Sequence, residues 1–157
     1  MSIIEEIYRI REAKAEALEF HLWFDGGSTC NVPKWGYGEG YGSYTTGLPD
    51  KLEKVVRVKF GKGHSANSAE IRTMVEGMNA IANAHPDVLL ILHIHGDSQI
   101  ALNRVSGKGP KKMKKKWKPP TENFVEAIRL MEDAKSRFHT IHTHWHPREK
   151  SVALFGH

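Results

Sequence analysis

The run Val88-Leu-Leu-Ile-Leu-His-Ile-His-Gly-Asp97 constrains this chain more than any other feature of its sequence. Pro86 and Asp87 break the chain ahead of it, and Asp97 ends it. An apolar stretch this short and uninterrupted suits a strand buried on both faces, in the middle of a parallel or mixed sheet flanked by helices. It falls far below the roughly 20 residues that a membrane helix needs, so no membrane partner is expected.

Periodicity supplies the remaining elements. Ile3 to Leu18 has apolar residues at spacings near three and four, predicting an amphipathic helix. Phe20 to Phe24 is aromatic-rich and runs into Asp25-Gly26-Gly27, a strand entering a loop. The glycine-rich stretch Gly36 to Gly47, with Tyr37, Tyr41 and Tyr44, predicts a bent or bulged strand, and Val55 to Phe60 a third. Ala69 to Ala84 then places Ile71, Met74, Val75, Met78 and Ile81 on one helical face, with Ser68 as the expected N-cap. After the central strand come a short helix from Ser98 to Val105, a basic irregular stretch from Gly107 to Lys118, and a helix from Glu122 to Phe138 capped by Thr121. The segment from His139 to His146 alternates as a last strand, and Pro147 opens a short final helix. The order β-β-β-α-β-α-α-β-α predicts an α/β fold: a mixed five-stranded sheet, an antiparallel meander joined to parallel strands, with helices on both faces.

A chain of 157 residues is one domain, read as a helical extension over 1–19 and the main domain over 20–157. The single cysteine, Cys30, excludes an internal disulfide framework and fits a reducing, cytoplasmic setting. The N-terminus has early acids and no apolar core, so neither a signal peptide nor an anchor is expected. The net charge of +5 favours an anionic partner.

Three acids stand out by position: Asp25 at the end of the first strand, Glu70 in the first turn of the first crossover helix, and Asp97 at the end of the central strand. Strand ends and helix starts on one sheet edge are where open α/β folds bind ligands. Three converging carboxylates repel one another unless a cation lies between them, and oxygen ligands without cysteine select Mg²⁺ or Mn²⁺. Acids at strand ends are equally often solvated loop groups, so spacing alone does not decide between these readings.

The local words add to it. Asp25-Gly26-Gly27 with Asn31, Pro33 and Gly36-Tyr37-Gly38 resembles the first catalytic block of ribonuclease H. Ser65-Ala66-Asn67-Ser68-Ala69-Glu70 is similar to the block holding that family's catalytic glutamate, and Gly96-Asp97-Ser98-Gln99 to its strand-terminal Asp-Ser-Gln. The resemblance covers about residues 20 to 157 and implies a type 1-like enzyme. It would cut the RNA strand of an RNA–DNA hybrid with two divalent ions, as a monomer, leaving 5′-phosphate and 3′-hydroxyl ends. It makes Asp25, Glu70 and Asp97 the metal ligands. Asn31, Asn67 and Gln99 stand where the family contacts sugars and bases, and Ser65 where it holds a DNA phosphate; each also reads as an ordinary turn or cap residue.

The family's fourth acid falls on Ala153 or Leu154 here, and neither binds metal. His157 or Glu149 is the candidate replacement; alternatively three carboxylates suffice, or the chain binds hybrids without cutting them. Another nuclease of the same superfamily, a resolvase or exonuclease, is the further alternative.

Alternation predicts that His142, His144 and His146 share one strand face. A zinc site there is disfavoured, because i, i+2, i+4 histidines are spread too far along a strand to reach one ion easily. His144 or His146 resembles the family's mobile histidine, which assists proton transfer, and His144 is the catalytic candidate. His93 and His95 share a face with Asp97, and His95 is expected to pack rather than ligate.

Seven lysines surround Trp117 between Lys108 and Lys118. Such a cluster reads either as a solvated loop or as a backbone-gripping surface, which provides affinity without sequence reading. The resemblance favours the second, with Lys112, Lys115 and Trp117 as contacts to the DNA strand.

Overall fold

The structure, a computed structural model, describes residues 2–7, 17–29, 38–108 and 122–156. Its strands are β1 (Leu18–Ser28), β2 (Gly38–Leu48), β3 (Lys51–Leu52), β4 (Val56–His64), β5 (Leu90–Gly96) and β6 (Thr140–Trp145). Its helices are α1 (Ala66–Ala84), α2 (Gln99–Val105), α3 (Glu122–Lys135) and α4 (Arg148–Phe155), and residues 3–7 are also helical. The mixed sheet expected from the sequence is present. β1 pairs antiparallel with β2 and parallel with β5, and β5 pairs parallel with β6. The outer edge of β2 is shared by two segments, β3 and β4, so six strands fill five positions across the sheet. The expected irregularity of β2 appears as register shifts against β4 between Gly38 and Tyr41.

Alternation along β1 and β5 separates two chemistries. Leu22, Phe24, Leu92 and Ile94 are almost fully buried and join Ile71, Met74 and Met78 of α1, Leu102 of α2 and Met131 of α3 in one core. Each such side chain contributes about 1.5–3 kcal/mol by leaving water. The intervening residues, His21, Trp23 and Asp25 on β1 and His93 and His95 on β5, point to the opposite face. There α4 lies over part of the sheet: Arg57, paired with Ser43 in the row of Asp25, donates to the Phe155 carbonyl at 3.1 Å. Helices therefore cover both faces, as expected.

α1 crosses the sheet closely. A Cβ on Gly42 would run into the Thr73 side chain, and one on Gly77 into Leu22. Thr73 itself is buried and turns its hydroxyl back to the Ala69 carbonyl at 2.7 Å.

Several boundaries differ from expectation. β1 begins at Leu18, so the first helix does not extend to that residue; residues 8–16 lie outside the described part. β1 also runs through Asp25 and the two glycines, because Gly26 and Gly27 pair with Gly42 and Tyr41. α1 starts three residues before its apolar stripe: Ser65, not Ser68, is the N-cap, accepting the Ser68 N–H at 3.2 Å. Glu70 consequently stands in the second turn of α1. β6 stops at Trp145, so His146 does not extend the row of His142 and His144. It is buried instead, its backbone N–H donating to the Gly96 carbonyl at 3.0 Å.

Candidate active site

Three elements bring Asp25, Glu70 and Asp97 together. Asp25 lies on β1, Glu70 on α1, and Asp97 follows β5, the parallel neighbour of β1. One carboxylate oxygen from each lies within 4.8 Å of the others. Gly26 permits this convergence: a Cβ there would stand 2.8 Å from the Glu70 Cα and 2.9 Å from the Ala69 carbonyl oxygen. Only a glycine beside Asp25 lets the helix carry Glu70 so near the strand.

The electrostatics match the geometry. Burial, and next the charge of Asp97, push Asp25 up to about 7; Arg148 opposes the shift. Glu70 is also pushed up to about 7, chiefly by burial, with Asp25 and Asp97 adding to it and a hydrogen bond from Ser98 resisting it. Carboxylates crowded in this way could hold a cation, and an all-oxygen donor set suits Mg²⁺ or Mn²⁺.

The other candidates are placed as follows. Ser65 spends its side chain on the α1 cap; Asn67 is half-buried in the first turn of α1. Gln99 is exposed at the start of α2 and donates to the Asn103 side chain at 2.9 Å. Glu149 is exposed in the first turn of α4 and, among the described residues, is not in the convergent group. Ala153 is exposed, while Ser151 and Phe155 are the α4 residues turned inward. Asn31, Lys112, Lys115, Trp117 and His157 lie outside the described residues. His144 belongs to a different grouping, its Nε2 lying 2.9 Å from His93 Nδ1. His146 directs Nδ1 to the Pro147 carbonyl at 3.0 Å and leaves Nε2 buried without a hydrogen bond.

Two residues beside the acids escape sequence reasoning. Arg148 opens α4 and acts electrostatically on Asp25, a relation that depends on how α4 crosses the sheet. Trp145, 58% exposed, donates its indole N–H to the Asp97 carbonyl at 3.1 Å and so presents an aromatic ring beside the third acid. Its place at the end of an alternating strand was the one available signal.

No family model matches the sequence, and no curated protein matches it. Solved structures do. The N-terminal RNase H domain of Rv2228c from Mycobacterium tuberculosis, solved as a fusion with maltose-binding protein, superposes with a TM-score of 0.65 at 18% identity, over 86% of this chain and 92% of that one. RNase H1 from the halophilic archaeon Halobacterium salinarum NRC-1 gives 0.64 at 16% identity, over 89% and 100%. LC11-RNase H1 in complex with an RNA/DNA hybrid gives 0.61 at 15% identity, over 85% and 89%. The likeness is one of fold.

Proposed function

We propose that this chain, whose fold is that of type 1 ribonuclease H, hydrolyses the RNA strand of RNA–DNA hybrids with divalent ions. One observation carries the reading: Asp25, Glu70 and Asp97 present oxygens within 4.8 Å of one another at one edge of that fold. Asp25 and Asp97 would hold one ion, and Asp25 and Glu70 the second. Ions held by these carboxylates would supply a water acidic enough to attack near neutral pH and a Lewis acid for the leaving 3′-oxygen.

The chain's own groups do the rest. Ser98 holds Glu70 in place through its 2.7 Å hydrogen bond. Asn31, Asn67 and Gln99 are assigned to sugars and bases, where 2′-hydroxyls distinguish RNA from DNA. Ser65, Lys112, Lys115 and Trp117 are assigned to the DNA strand, where phosphate contacts give affinity and salt dependence. Arg148 places a positive charge near the acids, suited to a phosphate oxygen. His144 is assigned to proton transfer, its Nε2 lying 2.9 Å from His93 Nδ1.

The test compares cleavage of labelled hybrid, duplex RNA and duplex DNA in Mg²⁺ and in Mn²⁺. The proposal requires hybrid cleavage by wild type, and its loss in Asp97→Asn with hybrid binding largely intact. Full activity in that variant contradicts the site. Preferential cleavage of duplex DNA favours a resolvase or exonuclease of the same superfamily.

A second reading has its own observation: Arg148 of α4 acts electrostatically on Asp25, and among the described residues no fourth acid joins the three. A hybrid-binding module without cleavage fits that arrangement. Intact hybrid binding with no cleavage in either metal selects it.

A further inference from the structure

On the sheet face opposite the core, five histidines and a tryptophan from three strands form two rows. His21, His93 and His142 stand side by side in register, as do Trp23, His95 and His144. Across the rows the imidazoles meet nitrogen to nitrogen: His93 Nδ1 lies 2.9 Å from His144 Nε2, and His21 Nδ1 lies 2.8 Å from His95 Nε2. Among the described residues only the first of these pairs ends on an acid: Glu19 Oε1 lies 3.0 Å from the second nitrogen of His93. Glu19, His93 and His144 thus form one hydrogen-bonded chain across the neighbouring strands β1, β5 and β6.

We propose that Glu19 and His93 are positioning residues for His144, holding its ring so that Nδ1 is the nitrogen presented for proton uptake. The inference rests on the nuclease reading, in which His144 serves proton transfer. Each link fixes the next. Hydrogen bonding to His93 holds the Glu19 carboxyl below its ordinary range, so it is ionised and can only accept. His93 therefore donates its Nε2–H to Glu19. A neutral imidazole carries one N–H, so His93 Nδ1 is left as an acceptor and His144 Nε2 supplies the proton between them. His144 then has its lone pair on Nδ1, the nitrogen outside the chain. Burial, and next the charge of His93, hold His144 below the usual imidazole range, so the ring is neutral and free to accept.

The place of His144 suits that role. It is the register partner of His95, and Asp97 follows His95 by two residues, so the His144 and Asp97 Cα atoms stand roughly 8 Å apart by strand spacing and rise. His144 is exposed, so a proton reaches it through solvent. As the attacking water's oxygen bonds to phosphorus, its proton passes to Nδ1 and the P–O3′ bond breaks; the 3′-oxygen takes a proton from solvent, and Nδ1 later returns one. The imidazolium formed in between donates from Nε2 into a chain that ends on a carboxylate, which stabilises the added charge as an acid behind a general-base histidine does. The groups facing the chain are His21, His95 and His142, whose rings stack on it, and Lys150 of α4, which acts on His95. None of these is an acid, so Glu19 sets the direction of the chain.

Proton–nitrogen correlation NMR of the histidines in the full chain, without substrate, tests the chain, and hybrid cleavage in Mg²⁺ tests its use. In wild type, His93 and His144 are expected to carry a proton on Nε2 and none on Nδ1. Glu19→Ala should mix the His144 tautomers and lower its titration midpoint, while Glu19→Gln, whose amide oxygen still accepts, should keep the tautomer. In cleavage, His144→Ala is expected to lose about a hundredfold in kcat, and Glu19→Ala and His93→Phe about tenfold, with KM for hybrid unchanged and Glu19→Gln recovering part of the rate. Glu19 is exposed, so its substitution leaves the fold intact. A His144 protonated on Nδ1, or wild-type kcat in Glu19→Ala, overturns this proposal alone. Wild type that cleaves no hybrid overturns the nuclease reading, and this use of His144 with it.

Discussion

The Ser98 hydroxyl donates to Glu70 Oε2 at 2.7 Å while accepting the Ala101 N–H at 3.2 Å, so one side chain caps α2 and holds an acid of the site. Ser98→Ala removes both. Loss of the cap costs about 1 kcal/mol, which lowers the melting temperature by about 2–4 °C. Loss of the donor raises Glu70 further, so the acid limb of the pH–rate profile moves to higher pH. Ser98→Thr keeps a hydroxyl and should restore both readouts; a melting curve and a pH–rate profile check the pair.

Stability of the metal-free protein should fall as pH rises past neutrality. Asp25 and Glu70 are raised to about 7 in the fold, from ordinary values of 3.8 and 4.5, so near pH 6 the native state keeps protons that the unfolded chain has lost. Raising the pH through 7 therefore favours unfolding. Below pH 6.5 an opposing trend enters. His95, pushed down to about 3 by burial and next by His144, stays neutral in the fold while the unfolded chain gains a proton. The clean window is pH 6.5 to 8, where melting in EDTA should show a decline, Mg²⁺ or Mn²⁺ should reverse it, and Asp25→Asn should flatten it. A level profile in wild type would contradict the burial of these acids together.

Gly26→Ala should damage the metal site beyond its cost in stability. The added methyl meets only backbone of α1, 2.8 Å from the Glu70 Cα, so the helix must retreat and take Glu70 away from Asp25. Overpacking of this kind costs about 1–3 kcal/mol. Mn²⁺ affinity should drop together with stability. Gly61→Ala is the control: nothing lies within 4 Å of its Cβ, and its φ of +83° confines the damage to local backbone strain.

Trp145→Ala should weaken hybrid binding by about tenfold, within the range measured when an aromatic ring that stacks on a base is removed. Trp145→Phe keeps the ring but loses the N–H to the Asp97 carbonyl, so it should retain affinity while lowering the cleavage rate. Binding and single-turnover cleavage, measured side by side, separate the two effects. Unchanged affinity in Trp145→Ala would remove this residue from the interface.

The three acids are legible in the sequence because each lies at the end or the start of a strongly patterned segment, and the central strand is legible because it is apolar throughout. Ser65 is not legible as the cap, since Asn67 and Ser68 give the first turn of α1 no apolar signal. Gly26 and Gly27 read as a loop, yet they belong to β1, where they pair with Gly42 and Tyr41 of β2. The pairing of His93 with His144 is invisible along either strand alone. It follows from the parallel register of β5 and β6, which only the assembled sheet reveals. Arg148 beside Asp25 depends in the same way on the path of α4.

The alternation that sends Phe24 inward and Asp25 outward has a consequence for how errors in assembly are felt. A slip of one residue between β1 and its neighbours would drive a carboxylate into the apolar interior and strand a phenyl ring outside. Such a chain would forfeit its core before it could present a misplaced acid. The same contacts that hold the protein together thereby proofread the spacing of its reactive groups.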